Sequence, residues 1–230
     1  MKTPLLCASL LSMVCLQPAL AAGPAEPFAG LKTREIKGYL TAALHYDPEI
    51  TEIVNRRLTA EDEPLVVRVL RTRLDRARDE WYFVDYDEGP SADPSFIITR
   101  EGAEEPCGTL PGLHLYLPGN GSLYTSGHAN TMFDEHRKYT VAQGRLAESK
   151  QPYLHVGITG KAKKDLTIYA TPAQNEAVAA IPQGATMTVL LADGADHYLV
   201  KTAFGLIGWV TIPSNSQEAT VVEGLFFAGD

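Results

Sequence analysis

The sequence predicts an α+β domain followed by a small all-β barrel. Three observations carry that expectation. Apolar residues recur at three- and four-residue steps early in the chain. From Tyr82 to about residue 160 the pattern changes to alternating strands with hairpin turns. Beyond Lys161, short strands punctuated by Gly and Pro come at regular spacing.

A leader precedes these elements. It has one basic residue, Lys2, an apolar run from Leu5 to Leu16, and then Pro18-Ala19-Leu20-Ala21. Charge, apolar segment and small residues in that order predict a signal peptide over 1–21, cut after Ala21. The run is too short to span a bilayer. Val14 before Cys15 is too bulky for a lipidation site. The mature chain would be periplasmic or secreted, and of three cysteines it would keep Cys107 alone. No internal disulfide is then possible, and burial is the plainer role for this thiol. The net charge of −8, with no basic block, argues against nucleic acid and against an anionic membrane surface. No second apolar stretch reaches membrane length, so the mature chain is expected not to span a membrane.

Residues 22–30 are rich in Pro, Gly and Ala and read as a flexible lead-in to a domain over 31–160. Ile36, Tyr39, Leu40, Ala43 and Leu44 form an apolar helical face. Asp47-Pro48-Glu49 reads as a helix start, with Ile50, Ile53, Val54 and Leu58 buried by the helix behind it. Residues 65–81 fit a helix through Leu65, Val66, Val69, Leu70, Leu74, Ala77 and Trp81. Their Val- and Leu-rich first half fits a strand as well, and helix is favoured. On that helix Arg68, Arg71, Arg73, Arg76 and Arg78 would be a solvated face balanced by Asp75, Asp79 and Glu80.

The β pattern starts with WYFVDY and SFIITR, separated by a Gly-Pro-Ser turn cluster. GLHLYLPGNGSLYTSG predicts a hairpin around Asn120-Gly121, and HRKYTVAQGRLAES another around Gln143-Gly144. KAKK, from Lys161, reads as a short linker into a second unit over 161–230. There Leu166, Ile168, Val178, Ile181, Met187, Val189, Leu199, Ile207 and Val210 can fill a small barrel. The apolar residues Leu225, Phe226 and Phe227 are expected to return to the first domain or to complete the barrel.

In LTIYATP (166–172), AIPQGATMTVL (180–190), HYLVKT (197–202) and GLIGWV (205–210), the second unit resembles the bacterial Src-homology-3 domain family. Gly208-Trp209-Val210 is the most specific match. Tyr169 stands where the family often has arginine, and His197-Tyr198 where it often has Trp-Tyr. The resemblance implies a Src-homology-3-like barrel that binds peptidoglycan or an envelope protein and needs no cofactor. Tyr169, Tyr198, Trp209 and His197 are the ligand-binding candidates, since aromatic rings give large contact area at small entropic cost. The plainer role for the aromatics is barrel core or rim. Residues 120–157, through HRKYTVAQGRLAESKQPYLHVG, are also similar to a segment of uncharacterised secreted bacterial proteins that end in such a module, a likeness that carries no activity.

PYLHVGITG (152–160) resembles the histidine strand of papain-like cell-wall endopeptidases, which raises the alternative of a hydrolase using Cys107 and His155. Such an enzyme needs a cysteine at a helix start, where the dipole lowers its pKa, and a third group to orient the histidine. EEPCGTLPG instead flanks Cys107 with Pro106 and Pro111, and the family's Asp-Cys-Ser setting is absent. His114, His128, Asp134, Glu135 and His136 cluster in sequence, but without a recognised zinc-ligand spacing. YTSGH (124–128) lacks the Gly-x-Ser-x-Gly elbow of a serine hydrolase. The expectation is therefore a secreted, non-catalytic binding protein.

Overall fold

The structure is a computed structural model that describes residues 28–89, 91 and 93–229. The predicted signal peptide and most of the predicted lead-in lie outside the described residues. Every regular element described is a strand, which overturns the α+β expectation for the first domain.

Two sheets enclose the first core. One contains β1 (Lys32–Lys37), β2 (Thr41–Tyr46), β8 (His114–Leu117), β9 (Ser122–Gly127), β10 (Glu135–Ala142) and β11 (Arg145–Glu148), in the order β1-β2-β8-β9-β10-β11. The other is a consecutive antiparallel meander of β3 (Thr51–Arg57), β4 (Val66–Arg73), β5 (Trp81–Asp87), β6 (Ser95–Arg100) and β7 (Gly108–Pro111). The chain leaves the first sheet after β2, builds the meander, and returns as β8 parallel to β2. Leu44, Leu70, Val84, Phe96, Ile98, Leu110, Leu115 and Leu123 are fully buried between the two sheets. The sheets meet at one corner, where the Leu146 amide donates to the Cys107 carbonyl at 2.9 Å.

The predicted helices fail for local reasons. Over 31–44 the chain turns at Gly38-Tyr39-Leu40, so Ile36 pairs with Ala42 and both face the core. Tyr39, placed on the supposed helical face, is 80% exposed. Gly38 is needed at this turn because the Glu88 carboxylate, which accepts from the Tyr39 amide, occupies the space a Cβ would take. Asp47 is buried and does not cap a helix. Its carboxylate takes the Glu49 amide in a turn and the Arg76 guanidinium from outside. Ile53, Val54 and Leu58, predicted to be buried, are exposed. Residues 66–73 are β4, with a bulge between Arg68 and Leu70 against β5. The bulge sets Val69 and Leu70 both inward, and an apolar doublet of that kind imitates helical spacing.

Arg68, Arg71 and Arg73 therefore lie on a strand, while Arg76 and Arg78 follow β4 in the connection to β5 and remain exposed. Arg68 makes two hydrogen bonds to Asp85, at 2.8 and 3.0 Å, and lies 3.9 Å over the Phe83 ring. Arg71 bonds Glu101 and Glu52 while lying 3.9 Å over Trp81. These carboxylates come from neighbouring strands and their connections; of the predicted balance with Asp75, Asp79 and Glu80, Arg78 with Asp75 is the pair that forms at helical spacing among the described residues.

The β readings stand as elements. WYFVDY and SFIITR are β5 and β6, paired from Tyr82–Arg100 to Asp87–Ser95. β8 and β9 pair across the Asn120-Gly121 loop. β10 and β11 turn at Gln143-Gly144, where both residues have positive φ as a tight two-residue hairpin turn requires.

The third sheet is β12 (Leu154–Lys161), β13 (Leu166–Tyr169), β14 (Ala177–Ile181), β15 (Thr186–Ala192), β16 (His197–Thr202) and β17 (Ile207–Thr211), in the order β12-β15-β16-β17-β13-β14. The predicted Src-homology-3-like barrel is not what forms. A closed barrel needs its first and last strands to pair, whereas β12 and β14 are the two outer strands here. β12 also begins before the segment that carries the resemblance. KAKK is not a linker: Lys161 ends β12, and Ala162 is buried in a bridge to Val222. Val178 and Ile207, proposed as interior, are exposed, and on β16 Tyr198 and Val200 point inward in place of Leu199. The second core is completed from elsewhere, by Met132 and Phe133 from the β9–β10 connection and by Val221, Val222 and Leu225 from the C-terminal tail. The tail joins the two regions. Asn130 N donates to Ala228 O at 2.6 Å, and His128 Nε2 lies 3.0 Å from Phe226 O.

Candidate functional site

Strand register assembles the site on the outer face of the third sheet. Directly opposed residues of antiparallel strands project from the same face. His155 opposes Leu191, Leu191 opposes Leu199, Leu199 opposes Trp209, and Trp209 opposes Tyr169. One row of side chains thus crosses five strands. Of these Leu191, Leu199, Trp209 and Tyr169 are half-buried and His155 is exposed. Tyr153, just before β12, brings its ring to 5.8 Å from Trp209 and is 46% exposed. A run of aromatic and aliphatic side chains on the outside of a sheet is what a recognition face needs: contact area with few rotatable bonds.

His197 lies on the same face, opposite Thr211 and one pair from the row. Its Nδ1 sits 2.8 Å from Asp193 Oδ2. Burial of Asp193 raises its pKa, but hydrogen bonds from the Ala195 amide and from His197 outweigh that and hold it below the usual carboxylate range. His197 therefore stands at the rim with a fixed ring orientation. Gln174 bonds Thr211 beside it.

Tyr198 is the correction among the candidates. It opposes Ala192 and Val210 on the inner face, is 2% exposed, and meets Phe133 edge-on. Burial, with Asp196, Glu135 and Asp193 nearby, pushes its phenol up to about 12. It is a core residue and offers no groove surface. The structure thus brings Tyr169, Trp209 and His197 together and separates Tyr198 from them by the thickness of the sheet.

Cys107 and His155 are not brought together either. Cys107 is buried in the first core at the start of β7, its amide donating to Ile98 O at 2.7 Å. His155 is on the outer face of the third sheet, its ring folded over Gly157. Gly157 has φ +71°, and a Cβ there would lie 2.7 Å from His155 Cε1. The glycine makes the β12 bulge and leaves room for the imidazole. The histidine cluster is also dispersed. His114 stacks with His45 and Tyr116, His128 faces Phe226, and Glu135 is taken by Arg137. Among the described residues no three or more His, Cys, Asp or Glu side chains form a group that could hold a metal ion.

A second concave surface was missed from sequence. Phe28, Tyr116, Tyr124, Lys138, Lys150 and Gln151 line a groove of about 510 Å³ on the outer face of the first sheet. The signal was present in the 112–127 hairpin. Leu115, Leu117 and Leu123 alternate inward there, so Tyr116 and Tyr124 must face outward and oppose each other.

No protein-family model, curated protein or solved structure matches the chain. Among the described residues no helix is long and apolar enough to cross a membrane.

Proposed function

We propose that the chain is a secreted or periplasmic, non-catalytic binding protein of the cell envelope, and that the outer face of its third sheet recognises peptidoglycan or an envelope protein. The observation that supports this most is the cross-strand row of Leu191, Leu199, Trp209 and Tyr169, extended by Tyr153. Trp209 and Tyr169 supply rings for stacking on a sugar or on a peptide side chain. His197, fixed by Asp193, supplies a polar contact at the edge. The leader read over 1–21 supports the compartment.

The test is co-sedimentation of the full mature chain with purified sacculi, with the supernatant assayed for released fragments. Binding without release is expected. Trp209→Ala and Tyr169→Ala should each weaken it about tenfold or more, as loss of a stacking ring does at binding surfaces. Fragment release that disappears in Cys107→Ala would replace this reading with the hydrolase. Failure to sediment would exclude peptidoglycan and leave the envelope-protein arm, tested by capture on the same two variants.

A further inference from the structure

The groove on the first sheet is a separate surface, and its chemistry is different. Tyr116 on β8 opposes Tyr124 on β9, and Tyr124 opposes Lys138 on β10. His45 on β2 extends the row on the other side, stacked on Tyr116 with ring centroids 4.2 Å apart and planes 9° apart. Phe28 closes one end, tilted 43° to Tyr116 and edge-on to Tyr124. The opposite wall is the segment after β11, tied to β10 by Ser149 N to Lys138 O and by Gln151 Nε2 to His136 O, each at 2.8 Å. The result is an open channel lined by these rings on one side and by the segment after β11 on the other.

Two further observations restrict the occupant. Tyr116 and Tyr124, both half-buried in the groove wall, each carry a phenol hydroxyl that can donate to and accept from a hydroxylated ligand. The charge here runs against that of the whole chain, which is −8. Lys138 and Lys150 are both exposed, and among the described residues neither forms an ion pair. Lys138 Nζ stands 5.8 Å over the Tyr124 ring. Arg137 differs, being fully engaged by Glu135 and Glu148. Two free ammonium groups beside clustered aromatic rings complement a ligand with sugar rings and carboxylates.

We propose that the groove of Phe28, Tyr116, Tyr124, Lys138 and Lys150 is a binding site for an acidic glycan, an oligosaccharide bearing carboxylates. The aromatic wall packs against the sugar rings, the phenols bond its hydroxyls, and the two lysines take its carboxylates. This site lies on a different sheet from the Trp209 face and does not rest on the reading of that face.

Isothermal titration of the full mature chain with hexagalacturonate and with its methyl ester tests this, because the ester keeps the rings and removes the charge. The acid form should bind, and the ester should bind about tenfold more weakly. Lys138→Gln with Lys150→Gln should bring the acid form down to the level of the ester without altering the fold, since both side chains are exposed. Tyr124→Ala should abolish binding of both forms, while Tyr124→Phe, which keeps the ring, should retain most of it. Trp209→Ala should leave both unchanged, which separates this site from the face on the third sheet. Equal affinity for acid and ester, indifference to the lysine pair, or no binding of either probe at millimolar concentration would overturn the proposal.

Discussion

The first core is built from strands that follow one another along the chain, from Ile36 to Tyr139. The second takes residues from three separated stretches: Met132 and Phe133, β12 to β17, and Val221 to Leu225. The first region can close on itself with two sheets. The third sheet has one buried face and must borrow side chains to cover it, which makes the Met132–Phe133 loop and the tail as structural as any strand. Each region also holds one tryptophan, Trp81 in β5 and Trp209 in β17, so their stabilities can be followed separately by fluorescence.

The largest expected effect tests that borrowing. Phe133→Ala should destabilise the third sheet by about 3–5 kcal/mol, the usual cost of emptying a buried phenylalanine site, although Phe133 lies 21 positions before the start of β12. The Trp209 melting transition should fall well ahead of that of Trp81. A fragment of 161–230, which lacks all of β12 but Lys161 and lacks Met132 and Phe133, should show no cooperative melt by circular dichroism. If both tryptophans shift equally in Phe133→Ala, the two cores unfold as one unit and the contrast between them is broken.

Next in size is the ion pair that anchors the meander. Asp85 is buried and Arg68 meets it with two hydrogen bonds while covering Phe83. Arg68→Met keeps the apolar cover and strands the carboxylate, at a cost of about 3 kcal/mol. Trp81 should report the loss and Trp209 should not, by urea unfolding.

The same contrast explains what was legible in the sequence. Strands of the third sheet are separated by Gly and Pro, so each was readable as a strand. What sequence could not show was closure: that β12 lies at one edge and that Val222 pairs with Ala162 depend on contacts 60 residues apart along the chain. In the first region the errors have a local cause. The bulges in β3 and β4 break the two-residue period, and the Gly38 turn brings Ile36 and Ala42 to one face across a six-residue gap. A helix and a bulged hairpin then give similar apolar spacing. At the site, Tyr169 and Trp209 were legible as aromatics on strands. Which way Tyr198 faces was fixed only by the register of β16 against β15 and β17, and a one-residue slip would have turned it outward.

A smaller effect sharpens the role of His155. Gly157→Ala puts a Cβ at φ +71°, which costs about 1–2 kcal/mol from backbone strain alone. The new methyl also meets the His155 ring, so the Gly157→Ala, His155→Ala double variant should recover part of the loss and leave the backbone part. Thermal melts followed by Trp209 measure both. Full recovery would mean that the imidazole contact, and not the backbone, is what the glycine serves.

The smallest effect separates the regions by pH. His45 Nε2 lies 3.3 Å from His114 Nδ1 with Tyr116 stacked against both rings. Burial, then the charge of His114, lowers the pKa of His45 from its ordinary 6.5. The unfolded chain therefore binds this proton more readily than the folded one. Stability conferred by the neutral ring is complete above about 6.5 and is lost as the pH falls from there through the lowered folded value. The ring is only partly shielded from water, which keeps the loss small. The Trp81 transition should soften over that acid window, and His45→Asn should flatten the dependence. The Trp209 transition should not share it at about pH 6: among the described residues its region holds the His197–Asp193 pair, and the lowered Asp193 carboxyl loses its contribution only below the usual carboxylate range. A parallel fall of both transitions over that window would mean that the two regions unfold as one unit and that His45 does not act on the first alone.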